Sequence, residues 1–139
     1  MGFLSRLSTE HYRWLAGFWT IAIVAACSIP AASLSPLGPA LSADKAIHAG
    51  LFAAFGTLWM RTVCPPRDES PGLFRRQALR VLGAGALFAV GTEFYQHLLP
   101  LKRTADPYDA LANGIGLLLS VITYGVFYRM GRKVDESRR

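Results

Sequence analysis

Charge is scarce in this sequence and missing from long parts of it. Acidic and basic side chains make up 17% of the 139 residues, against about a quarter in a typical soluble domain. Residues 14–41 carry none at all. Charge this thin and this clustered argues against an ordinary soluble domain with a polar shell. The net charge of +6 would suit nucleic acid, but the basic residues flank apolar segments and form no groove-sized patch, so no nucleic-acid partner is expected. Period-2 alternation is absent too, which argues against a membrane β-barrel. Cysteine is limited to Cys27 and Cys64, one inside the first apolar segment and one ending the second, so no disulfide is expected. There is no His-Glu-x-x-His signature and no serine or cysteine set beside a histidine and a carboxylate as a nucleophile. The motifs therefore assign no catalysis.

What is present is apolar: 52% of the residues are hydrophobic. They gather into four segments, residues 14–34, 46–63, 78–99 and 108–128. Each reaches or nearly reaches the roughly 20 helical residues that cross a bilayer core. Only helices and closed barrels satisfy their backbone groups in lipid. The expected fold is all-α, an integral membrane bundle of four transmembrane helices forming one domain over residues 1–139. Between the first two spans, Pro30, Pro36, Gly38 and Pro39 mark an irregular turn, and residues 65–72 form a hydrophilic loop. The short stretch 100–107 makes spans three and four antiparallel neighbours. The tail, residues 129–139, is charged and expected to fray.

Basic residues give the orientation. Placing the N-terminus, the second loop and the tail on one side collects 12 of the 15 lysines and arginines there, leaving Lys45, Lys102 and Arg103 opposite. The positive-inside rule then puts both termini in the cytoplasm of a multi-pass cell-membrane protein. Tyr12, Trp14, Trp59, Tyr124 and Tyr128 fall near the inner boundary and Tyr95 and Tyr108 near the outer one, as in an aromatic belt. A cleaved signal peptide is the competing reading of the first segment, since Arg6, an apolar run and Pro30-Ala31-Ala32-Ser33 loosely fit one. The run is longer than a signal core, which favours a retained span.

In this topology polar residues far apart in sequence converge at the outer ends of the last three spans. Asp44, Lys45 and His48 open span two; Glu93, Gln96 and His97 close span three; Arg103, Asp106, Asp109 and Asn113 lead into span four. Asp44 and His48 share a helical face, as do Glu93 and Gln96. Asp109, Asn113 and Gly116 run down one face of span four, with Gly116 leaving room for close approach. Ionisable groups in a membrane are costly and usually face the bundle interior in pairs.

Three ordered blocks carry a resemblance. Asp44-Lys45-x-x-His48-x-x-x-Phe52, then Glu93-x-x-Gln96, then Arg103-x-x-Asp106-x-x-Asp109-x-x-x-Asn113-x-x-Gly116 resemble the pattern of VanZ-like membrane proteins. Thr104 stands where serine or glycine is more usual after the arginine. That family is named for a protein contributing to teicoplanin resistance. The resemblance implies a multi-span envelope protein with no settled biochemical activity, and glycopeptide resistance as one implied role.

Each polar residue also has a plainer reading. Asp106 before Pro107 is a standard helix cap, with Asp109 favourable in the first turn. Glu93 is expected to pair with Lys45 or Arg103, and His48 to hydrogen-bond Asp44 or span four. Asn113 suits an interhelical amide, and Gly83, Gly85 and Gly91 suit packing contacts. Four carboxylates (Asp44, Glu93, Asp106, Asp109) against Lys45 and Arg103 leave a formal −2 with histidine neutral. A divalent metal would balance that, as would a protonated Glu93 with a charged His48.

Three functions stay open. The site, comprising Asp44, Lys45, His48, Glu93, Gln96, Arg103, Asp106, Asp109 and Asn113, binds a membrane lipid or the headgroup of a lipid-linked cell-wall precursor. Alternatively, the protein is a membrane enzyme acting on a phosphate-bearing lipid, with a metal and Glu93 or His48 carrying protons. Or the buried charges only fix helix packing. The orientation is testable directly. In a chain with Cys27 and Cys64 replaced, Thr104→Cys should react with an impermeant thiol reagent applied to intact cells. Reaction only after permeabilisation would reverse the topology.

Overall fold

The computed structural model describes residues 8–29, 41–64, 71–99 and 107–136. They form four helices and no strand: α1 Thr9–Cys27, α2 Leu41–Val63, α3 Pro71–Leu98 and α4 Pro107–Glu136. The all-α expectation is met. Ser8 caps α1, its hydroxyl accepting from the His11 N–H, which serves one of the free amides of the first turn. At the other end the Ser28 amide returns to the Val24 and Ala25 carbonyls and its hydroxyl also donates to Val24. Proline occupies the first position of both α3 and α4, where its missing N–H costs nothing.

The helices overrun the apolar segments, because a helix stops on backbone grounds and not where hydropathy falls. α2 begins at Leu41 rather than near residue 46, and α3 at Pro71 rather than near 78. α1 starts five residues early, at Thr9, and stops at Cys27, short of residue 34; residues 30–34 lie outside the described residues. The expectation of a frayed tail from residue 129 is corrected: α4 stays helical through Glu136, in a stretch with the good helix formers Arg132, Lys133 and Glu136.

Contacts at both ends fix the directions. Lys45 meets Asp109 near the starts of α2 and α4, and the Tyr124 hydroxyl donates to the Cys64 carbonyl near their ends, so these two helices run parallel. Arg61, late in α2, lies 4.6 Å over the Tyr12 ring, early in α1; Phe74, early in α3, stacks at 5.5 Å on Tyr128, late in α4. α1 and α3 therefore run opposite to α2 and α4, and the chain goes up, down, up, down.

The α2–α4 pair is the most extensive contact, and α1 scarcely touches α3. Its closest point is Gly116, where a Cβ would stand 2.1 Å from the Ala49 carbonyl oxygen. Gly56 fits against Ser120 and Gly85 against Leu117, while Gly83 and Gly91 meet nothing and are exposed, so of Gly83, Gly85 and Gly91 only Gly85 is a packing contact. One apolar cluster joins Ile23, Cys27, Phe52, Phe55, Ala89 and Leu117; a second, nearer the end of α2, joins Met60, Cys64, Ala78 and Val81. Both cysteines are buried and no disulfide joins them. Two aromatic residues assigned to the inner boundary turn inward: Trp59 donates to Thr20 and Tyr124 to Cys64.

By length and composition one described helix, α4 over Pro107–Arg129 with mean hydropathy 1.8, is apolar enough to cross a membrane. The others are interrupted, α2 by Lys45, His48 and Arg61, α3 by Arg75, Arg76, Arg80 and Glu93. Composition therefore supports one span among the described residues and not four.

Gly116→Ala should force α2 and α4 apart and lower stability by about 1–3 kcal/mol, the usual range for overpacking. Gly114→Ala, whose new methyl meets nothing within 4 Å, is the control and should be neutral or slightly stabilising. Equal thermal unfolding of the two variants would show that the close approach is unimportant.

Candidate functional site

Beside its apolar core this bundle buries several polar side chains, while many large apolar ones are exposed. Asn113 is 0% exposed, Gln96 4% and Glu93 7%, while Leu87 is 76% exposed, Trp14 75% and Phe127 68%. A buried carboxylate or amide is tolerable only among other polar groups, and those lie where three helices meet. α2 presents Lys45 and His48 one turn apart, roughly, on adjoining faces; α4 presents Asp109 and, four residues on, Asn113; α3 presents Glu93 and Gln96 on one face.

The Lys45 ammonium is hydrogen-bonded and ion-paired to Asp109 Oδ1, both side chains largely buried. His48 Nδ1 lies 3.1 Å from Asn113 Oδ1. An amide oxygen can only accept, so Nδ1 carries the proton and donates. The other ring nitrogen, Nε2, lies 3.7 Å from Asp109 Oδ2. Glu93 enters from α3, and one donor atom each of His48, Glu93 and Asp109 lie within 4.8 Å of one another. Gln96 Nε2 and Asn113 Nδ2 are buried with no hydrogen-bond partner among the described residues.

The structure thus brings Lys45, His48, Glu93, Asp109 and Asn113 together, and buries Gln96 three residues beyond Glu93. Asp44 lies in the first turn of α2, but its side chain falls outside the described residues, as do Arg103 and Asp106 altogether; Asp106 as a cap and Arg103 as a partner for Glu93 therefore go undescribed. Lys45 is paired with Asp109. His48 bonds to span four, one of its two expected partners. His97 is exposed and outside the cluster. Thr92, buried beside Glu93, drew no attention in the sequence; its hydroxyl is spent on the Ala89 carbonyl, and no spacing signal marks it.

A cavity also lies away from this cluster. It measures about 440 Å³ and lies among α1, α2 and α3, lined by Phe55, Trp59, Val81 and Phe88 with Gln77 and Arg80. Its walls are apolar, so it is a packing gap and not an extension of the polar cluster. Comparison with family models, curated proteins and solved structures yields no match for this chain.

The Lys45–Asp109 pair has a measurable signature. Lys45→Met and Asp109→Asn should each destabilise, and the double variant should lose less than the sum, with a coupling of about 0.5–3 kcal/mol in a double-mutant cycle. Strict additivity would mean that the pair contributes nothing.

Proposed function

We propose that the chain is a VanZ-like multi-pass protein of the cell membrane, whose outer polar cluster binds the headgroup of a lipid or lipid-linked cell-wall precursor. The observation that carries the membrane part is the apolar exterior. Large apolar side chains are exposed on every helix, among them Phe18 and Ile21 of α1, Ile47 of α2, Leu79 and Phe94 of α3, and Ile122 and Val126 of α4. Water would penalise such a surface at roughly 25 cal/mol per Å², and lipid would not. The antiparallel order of the helices, with the basic residues concentrated at one end of them, supports the same reading. Arg75, Arg76 and Arg80 then sit at the cytoplasmic end of α3, from which long side chains reach the interface.

The headgroup part rests on what the cluster offers. Lys45 supplies positive charge, and the amides of Gln96 and Asn113 have N–H groups to donate. Glu93 and Asp109 offer acceptors. A zwitterionic or hydroxyl-rich headgroup carrying phosphate can use both kinds of group. The ordered blocks from Asp44 to Gly116 support the VanZ-like assignment, and with it a contribution to glycopeptide resistance.

The test is lipid mass spectrometry of the detergent-purified protein. Wild type should resist alkaline extraction from membranes and retain a phosphate-bearing lipid, which His48→Leu and Asn113→Leu release while staying monodisperse. Alkaline release of the wild type would sink the membrane reading. Folded variants that keep the lipid would sink the headgroup reading.

A further inference from the structure

The electronics around His48 carry a further step. With Nδ1 turned to Asn113 Oδ1, the other ring nitrogen of His48, Nε2, faces Asp109 Oδ2 at 3.7 Å. That separation is too long for a direct hydrogen bond. Lys45 engages the other oxygen of Asp109, Oδ1, leaving Oδ2 on the His48 side. Glu93 brings a second carboxylate, so three electron-rich atoms converge within 4.8 Å. A positive centre between them would turn mutual repulsion into attraction.

We infer that His48, Glu93 and Asp109 bind one divalent transition-metal ion, of the Zn²⁺ or Mn²⁺ type. One imidazole and two carboxylates suit such ions in softness and charge. Metal–ligand distances of about 2.0–2.2 Å require the three donors to draw in by less than about 1 Å, which side-chain rotation supplies. The surrounding groups are those a metal site uses. A ligating histidine ordinarily donates its second ring N–H to a carbonyl or carboxylate; here the fully buried Asn113 amide receives it. Lys45 holds Asp109 from its far side. Three protein ligands leave a coordination position open, and the buried N–H groups of Gln96 and Asn113 are donors suited to an oxygen ligand there.

The inference builds on the headgroup reading in placing the ion within the same cluster, yet the ion can be measured with no lipid present. The tag-free full chain, purified in detergent and stripped with EDTA, is titrated with Zn²⁺ and with Mn²⁺, following bound metal by elemental analysis and unfolding by calorimetry. One ion per chain and a raised Tm are expected. His48→Ala and Glu93→Gln should weaken binding at least about tenfold, and Asn113→Leu by about 10–100-fold through loss of its support to His48. His97→Ala should bind as wild type. Glu93→Gln leaves the Lys45–Asp109 pair intact, so it decides the matter if other variants fail to fold. No stoichiometric ion in the wild type, or undiminished binding in folded Glu93→Gln, overturns the site. Metal bound by a protein that retains no lipid keeps the site and removes the headgroup.

Discussion

Where Gly116 meets Ala49, two helix backbones approach so closely that a single methyl group would collide with a carbonyl oxygen. Close approach of this kind maximises dispersion contacts and suits helices that gain nothing from expelling water between them. It also sets everything above it. One turn from Gly116, Asn113 faces α2 at the level of His48; one turn further, Asp109 faces Lys45. A bulkier residue at the crossing would lift the upper halves apart and separate both polar pairs. Below the crossing, Ser120 fits against Gly56 and Tyr124 reaches the Cys64 carbonyl, so the same contact aligns both ends.

The polar cluster and the apolar exterior are two results of one distribution. Each helix has only a narrow face to bury, and these helices share that face between apolar residues such as Ile23, Phe52, Met60 and Leu117 and the polar Glu93, Gln96 and Asn113, while many other large apolar side chains point outward. The aromatic layer of Phe52, Phe55 and Phe88, with Phe55 and Phe88 stacked at 5.2 Å, fills the middle of the bundle. The polar groups occupy the end above it. A carboxylate at Glu93 is tolerable there because three helices supply polar neighbours at one depth.

Much of this was legible in residue order. Apolar runs located the four helices, proline marked the first residue of α4, and the small residue at 116 announced a close crossing. Turn-linked neighbours could be taken as antiparallel from loop length. The parallel pairing of α2 with α4 could not, since those helices are not consecutive and no loop constrains them. Partner choice was equally hidden. Successive helical residues differ in direction by about 100°, so whether Lys45 reaches Asp109 or Glu93 depends on helix rotation, which only packing decides. Helix ends at residues 41 and 136 escaped hydropathy because polar residues propagate a helix as well as apolar ones.

The unequal packing of α3 has a mechanical consequence. α2 and α4 pack against each other more extensively than any other pair and carry Lys45, His48, Asp109 and Asn113 between them. α3 rests mainly on α4, lightly on α2 and barely on α1, with the apolar gap beside it. Of the walls around the cluster, the one bearing Glu93 is therefore the compliant one. Displacing it changes the distances from Glu93 to His48 and Asp109 together and leaves those among Lys45, His48, Asp109 and Asn113 as they were, so the site's geometry has, in effect, one adjustable wall.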